Sequence, residues 1–181
     1  YCTSLTSIKI PSSVTTIGEN AFQRCSNLSS VTFAEESQLK DINKSVFSYC
    51  SNLTSIEIPE GVETIGESAF YGCNKLKSIT IPKTVTIIGV QAFNNCENLI
   101  SVEFAEESRL TTIQSSAFSD CFNLTDDIEI PSTVTSIGEY AFYRCSKLSS
   151  MTFSRKTAPS IEENTFSGCS TLNIYVPCDG T

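Results

Sequence analysis

Nine cysteines and not one histidine set the limits on the chemistry this chain could carry. A cysteine thiolate can be a nucleophile, a metal ligand or a redox centre. Disulfide frameworks and zinc knuckles bring cysteines together at short paired intervals. Here Cys2, Cys25, Cys50, Cys73, Cys96, Cys121, Cys145, Cys169 and Cys178 recur one to a period, and only the last gap is short. The absence of histidine removes the Ser-His-Asp and Cys-His nucleophile schemes, His-ligated zinc and the usual general base near neutral pH. Neither a C-x-x-C pair nor a phosphate-cradling glycine loop occurs. One carboxylate pair is left to consider, Glu103 and Glu129, which the spacing places opposite each other on neighbouring strands. Such a pair can hold Ca²⁺ or a basic group, or imitate a glycosidase pair at roughly 5 Å. An exposed sheet lacks the cleft that would exclude water and raise one carboxyl pKa. The chain therefore reads as a non-enzyme, with no cofactor and no metal site.

Composition narrows the partners. Twelve basic and 20 acidic side chains leave a net charge of −8. That balance argues against nucleic acid, which needs a basic stripe to displace counterions, and against an anionic membrane surface. No apolar run approaches the roughly 18 residues of a membrane span. Leu, Ile, Val and Phe make up 48 of 181 residues, enough for an ordered core.

The cysteine spacing is one column of a repeat, and the other columns keep its phase. Three residues before the cysteine stands Phe22, Phe47, Phe70, Phe93, Phe118, Phe142 and Phe166. Eight before it stands Ile17, Ile42, Ile65, Ile88, Ile113, Ile137 and Ile161, and three after it Leu28, Leu53, Leu76, Leu99, Leu124, Leu148 and Leu172. The unit reads L-x-x-I-x-I-P-x-x-V-x-x-I-G-x-x-A-F-x-x-C-x-x. Self-similarity at this period is the mark of a solenoid. A longer period is also visible. Phe33-Ala34-Glu35-Glu36-Ser37 recurs three repeats on as Phe104-Ala105-Glu106-Glu107-Ser108, and both stretches hold the two-residue insertions that lengthen their units.

Local patterns give each unit a shape. In Leu53-Thr54-Ser55-Ile56-Glu57-Ile58 apolar and polar residues alternate, a short strand with one buried face. A following proline ends it. A second short strand at the Val and Ile positions should close in a turn, where Gly18, Gly66, Gly89 and Gly138 adopt a positive φ cheaply. Ala-Phe-x-x-Cys reads as one helical or 3-10 turn with Phe and Cys pointing inward. Units with one strand each pair in parallel, about 4.8 Å apart. Asp126-Asp127 adds a residue before the sixth strand and predicts a bulge.

The unit resembles the leucine-rich repeats of the BspA type, also called the treponemal type. The Ala69-Phe70-Tyr71-Gly72-Cys73-Asn74-Lys75-Leu76 core and the Ile58-Pro59-Glu60-Gly61-Val62-Glu63-Thr64-Ile65-Gly66 run carry the resemblance. It implies a right-handed leucine-rich-repeat solenoid of about seven to eight repeats at the period of the cysteine column. Such a solenoid is mostly short parallel strands with helical or 3-10 turns. The resemblance also implies a cell-surface or secreted module that adheres to a protein or glycan on a host or microbial surface. Residues 1–181 are expected to form one domain, a fragment of a longer protein, since Tyr1 falls inside a repeat. Residues 1–24 would hold a partial repeat plus the first unit, and residues 154–181 an atypical capping repeat.

Two surfaces follow. The cysteine column should be buried core, with Cys178, off the column, free for a disulfide or reactive thiol. The outward strand column, Lys9, Thr32, Glu57, Thr80, Glu103, Glu129, Thr152 and Tyr175, forms a flat, polar, partly acidic face. Solenoids commonly bind ligands on such an extended face. Beside it runs a monotonous serine column, Ser7, Ser30, Ser55, Ser78, Ser101 and Ser150, which supplies few anchors and suits a structural spacer instead. Tyr49, Tyr71, Phe122 and Tyr143 gather on the outer turn, and Asn27, Asn43, Asn52 and Asn123 match the glycosylation acceptor pattern.

Overall fold

A strand of three or four residues cannot stand alone, so each must find its partner one repeat away. In the computed structural model, which describes residues 2–125, 127–154 and 158–177, every strand pair is parallel and joins corresponding positions of successive repeats. Each repeat forms one turn, or rung, of a solenoid. A front face is built from β1 (Ser7–Ile10), β2 (Ser30–Phe33), β5 (Ser78–Ile81), β7 (Ser101–Phe104), β9 (Ile128–Ile130), β11 (Ser150–Phe153) and β13 (Asn173–Tyr175). A side face is built from two-residue strands, β3 (Asp41–Ile42), β4 (Thr64–Ile65), β6 (Ile87–Ile88), β8 (Thr112–Ile113), β10 (Ser136–Ile137) and β12 (Ser160–Ile161). These six form one sheet in rung order.

Alternation decides which residues enter the core. In β5, Ile79 and Ile81 are buried while Ser78 and Thr80 are exposed. Proline follows β1 and β5, where a strand donor would otherwise be needed. The interior is filled by the phenylalanine column. Phe22, Phe47, Phe70, Phe93, Phe118, Phe142 and Phe166 stack in order, with successive ring centroids 5.1 to 5.9 Å apart and planes within 17° of parallel. That is offset stacking at the rung spacing. The five central rings are fully buried, and Phe22 and Phe166 at the two ends are only partly covered.

The outer turn is not the expected helical or 3-10 turn. Its i→i−3 bonds are there, as in Ala69 N–H to Gly66 C=O (3.2 Å), Tyr71 N–H to Ser68 C=O (3.1 Å) and Cys73 N–H to Phe70 C=O (3.2 Å). They alternate with bonds to the next rung: Ser68, Phe70 and Gly72 donate to Val90, Ala92 and Asn94 at 2.7 to 2.9 Å. Left-handed residues make the alternation possible and prevent a helix. Residues five and one before the cysteine have positive φ in each rung from Cys25 to Cys169, including Ser45 and Tyr49, Gln91 and Asn95, and Tyr140 and Arg144, at 54° to 60°. Only Gly72 and Gly168 occupy these sites without the side-chain penalty.

The glycines after the side strand have a different role from the one expected. Gly18, Gly66, Gly89 and Gly138 do not have positive φ. A Cβ on Gly89 would lie 2.7 Å from the Gly66 carbonyl carbon, and one on Gly138 2.6 Å from the Ser115 nitrogen. Gly66, Gly89 and Gly138 are demanded by close backbone approach between rungs, whereas Gly18 on the first rung has open space around it. Where the column carries Asn43 or Gln114, the side chain binds a neighbouring rung: Asn43 Nδ2 donates to Ile17 C=O (2.8 Å) and Gln114 Oε1 accepts from Val90 N–H (3.1 Å).

The bulge expected at Asp126-Asp127 involves a residue outside the described ones. Ile128 starts β9 in register with Met151. The closing rung continues both faces through β12 and β13 but leaves Ile161, Ile174, Tyr175 and Val176 exposed.

Two stability measurements probe this packing. Phe70→Ala should cost about 3 to 5 kcal/mol in urea unfolding, and a loss under about 1 kcal/mol would contradict the stack. Gln91→Gly removes a side chain from a left-handed site and should raise stability by about 1 kcal/mol or less; a clear loss would contradict the strain.

Candidate binding surface

Register lays the outward strand column along one face. Lys9 pairs with Thr32, Thr80 with Glu103, and Thr152 with both Glu129 and Tyr175. Lys9, Thr32, Glu57, Thr80, Glu103, Glu129 and Tyr175 are exposed and Thr152 is half-buried.

The ladder along the face is not continuous. It divides into three sheets, β1-β2, β5-β7 and β9-β11-β13, and residues 55–58 between the first two form no strand. Two of the breaks follow the duplicated insertions. The extra residues after β2 and β7 include Glu36 and Glu107, both in the left-handed region at φ 56°. A groove of about 630 Å³ opens beside the first insertion, lined by Thr32, Glu35, Glu36, Glu57 and Glu60 among others. One of about 840 Å³ opens beside the second, lined by Glu103, Glu106, Glu107, Arg109, Asp127 and Glu129 among others. The expected opposition of Glu103 and Glu129 across a ladder is not made. β7 pairs with β5, β9 pairs with β11, and among the described residues no ladder joins β7 to β9. Both carboxylates instead border one groove, where Glu129 Oε1 accepts from Ser154 Oγ at 2.7 Å.

Sequence reasoning locates the insertions but not the grooves. Glu35, Glu36, Glu60, Glu106 and Glu107 therefore lie outside the candidate column. For Glu35, Glu36, Glu106 and Glu107 the signal is the recurrence of Phe-Ala-Glu-Glu-Ser three repeats apart, and Glu60 falls outside that motif.

The cysteines are interior groups with a definite hydrogen-bonding role. Cys50, Cys73, Cys96, Cys121 and Cys145 are buried, and each thiol donates to the carbonyl of the preceding rung's phenylalanine at 3.2 to 3.3 Å. The same carbonyl accepts a backbone N–H from its own turn, as Phe47 C=O does from Cys50 at 3.0 Å. Burial pushes the Cys50 and Cys96 thiols up to about 12. Burial also raises Cys73 and Cys121, and Cys145 is raised by the neighbouring Cys169 thiol and by burial. Cys2 is exposed and Cys169 half-buried at the column's ends. Cys178 lies outside the described residues.

The remaining candidates are absorbed into rung-to-rung contacts. Tyr49 and Tyr71 meet edge to face at 5.2 Å, and Arg24 lies over Tyr49 at 5.4 Å. Arg144 lies over Phe122 at 5.3 Å and pairs with Asp120 at 3.2 Å. Asn27 Nδ2 donates to Thr3 C=O at 2.7 Å and Asn123 Nδ2 to Glu97 C=O at 2.8 Å.

A parallel solenoid of about seven turns, with a leucine, an isoleucine and a phenylalanine column in each, is a leucine-rich-repeat domain. The sequence matches the pattern described as the BspA type leucine rich repeat region, in six copies across residues 1–125 and 63–181, and the chain belongs to that family. Among solved structures it resembles a leucine rich cell surface protein from Faecalibacterium prausnitzii, with 39% identity and a TM-score of 0.76 over 87% of this chain and 41% of that one. A leucine-rich repeat protein from Bacteroides ovatus gives 31% identity and a TM-score of 0.59 over 97% of this chain and 56% of that one. The T. pallidum leucine rich repeat protein gives 29% and 0.71 over 81% of this chain and 66% of that one. The chain thus spans less than two thirds of each of these proteins. No curated protein matches it. Repeats and solenoids of this kind serve as interaction or surface modules and are typically non-catalytic. Among the described residues no helix is long and apolar enough to cross a membrane.

The thiol column makes a pH prediction. A thiol held protonated in the fold, above its ordinary value of 9.0, stabilises fully below that value. The contribution is lost as pH rises from there toward about 12. By pH of about 10 the Cys50 and Cys96 thiols should each cost on the order of 1 kcal/mol. Urea unfolding across that range should show stability falling with pH, and Cys96→Ala should flatten the slope; an unchanged slope would contradict the buried column. A thiol reagent on the native chain should label Cys2 and Cys169 while the buried cysteines stay unreacted.

Proposed function

We infer that this chain is a non-enzymatic protein- or glycan-binding module of a cell-surface or secreted protein, adhering to a host or microbial macromolecule through the front face of the solenoid. The observation that carries this reading is the pair of grooves on that face. They are opened by the same Phe-Ala-Glu-Glu-Ser insertion at two points three rungs apart, and both are lined mainly by carboxylates among their charged groups. A single acidic groove is an accident of one loop; the same groove three rungs further on belongs to the duplicated block. The column residues Thr32, Glu57, Glu103 and Glu129 border these grooves and are the ones proposed to meet the partner. Lys9, Thr80, Thr152 and Tyr175 extend the face on either side. Description of a similar F. prausnitzii protein as a cell surface protein supports the proposed location. A spacer that projects another domain is the second reading, and the serine column in register along the strands favours it.

Binding of the chain to an array of extracellular-matrix proteins, plasma proteins and glycans at physiological salt separates the two. A saturable hit weakened by charge reversal of Glu57, Glu103 and Glu129 is the expected result. No hit, or one indifferent to all three reversals, would overturn the front-face reading and leave the spacer.

A further inference from the structure

In a chain of net charge −8, one groove is lined by lysines and by no acidic side chain. It has a volume of about 640 Å³ and lies where the outer turn enters the front strands. Its cations are Lys75 and Lys77 on one rung and Lys147 three rungs further along. All three side chains are exposed. The described ion pairs of the molecule belong to other cations, Lys40, Lys44, Lys83 and Arg144. Lys147 Nζ donates to Asn123 Oδ1 at 2.7 Å, which leaves two of its three hydrogens for a ligand. Between the lysines stands Ile100, 43% exposed and fixed in place by backbone bonds to Lys77 and Thr125 at 2.8 and 3.1 Å.

We propose that this groove binds an extended acidic peptide segment running along the solenoid axis, with carboxylates four residues apart on the lysines and an apolar side chain between them on Ile100. The spacing follows from two rises. Three rungs at about 4.8 Å separate Lys75 from Lys147 by about 14 Å, and an extended peptide covers about 13 Å in four residues. Alternate side chains of such a peptide face one way, so the acid, apolar and acid positions point into the groove together. The amide groups nearby favour a peptide over a sugar. Asn98 Nδ2 is used on Asn74 C=O at 2.6 Å, and Asn123 is used on Glu97 C=O and on Lys147. Both amide side chains of the groove are thus already engaged, while the apolar contact at Ile100 is open. The acidic grooves of the front face repel the same ligand, so the two surfaces sort partners by charge.

The test is fluorescence anisotropy with a labelled seven-residue peptide carrying glutamates at its second and sixth positions, leucine at its fourth, and serine elsewhere. Saturable, salt-sensitive binding is expected, weakened roughly tenfold or more by combined Lys75→Glu, Lys77→Glu and Lys147→Glu reversals. Circular-dichroism melts should show those variants folded, since the three side chains are exposed. A peptide with its glutamates adjacent should bind more weakly, and reversal of Glu57, Glu103 and Glu129 should not weaken binding, which separates this groove from the front face. Absence of binding, binding that survives the lysine reversals, or saturable binding of a sulfated oligosaccharide with none of the peptide would overturn the proposal.

Discussion

Every rung of this molecule depends on the rung beside it. A strand of two to four residues, a turn full of left-handed residues and a phenylalanine with no other cover are each unfavourable alone. Stacking settles all three at one spacing. The strands pair in parallel, the alternate amides of the outer turn reach the next rung's carbonyls, and the rings stack 5.1 to 5.9 Å apart. Glycine where backbones approach most closely, and a thiol that donates to the preceding phenylalanine's carbonyl, are the side-chain terms of the same constraint. A solenoid stabilised this way is close to a sum of nearest-neighbour interfaces, with weak ends and a strong middle.

Much of this was legible because the repeat aligns seven copies of each residue. A column of phenylalanine three before a column of cysteine leaves little freedom over what faces inward. What was not legible shares a cause: it lies in backbone geometry between rungs. Tyr49, Gln91 and Arg144 carry positive φ with no glycine to advertise it. Gly89 looks like a turn glycine and is a contact glycine, because the atom it would strike belongs to Gly66, its counterpart one rung earlier. Cys73 reads as a small hydrophobe until the Phe47 carbonyl is seen 3.2 Å from its sulfur. Glu103 and Glu129 fall in one column, yet among the described residues no ladder joins their strands and both border a groove beside the insertion.

The regularity also explains where specificity can reside. Columns that serve stacking cannot vary, so distinct chemistry is confined to outward positions and to insertions. Both appear here. The insertions open acidic grooves on the front face, and the positions flanking the leucine column gather lysines around Ile100 on the flank. A rigid stack holds these surfaces at fixed separations of about 4.8 Å per rung, which suits extended partners.

Amide hydrogen exchange of the native chain tests the nearest-neighbour account most directly. The turn amides that bridge rungs, those of Phe70, Phe93 and Phe118, should be protected most, with protection falling toward Phe22 and Phe142 in the outlying rungs. Uniform protection along the chain, or faster exchange in the central rungs than at the ends, would contradict the claim that each rung is held by its neighbours.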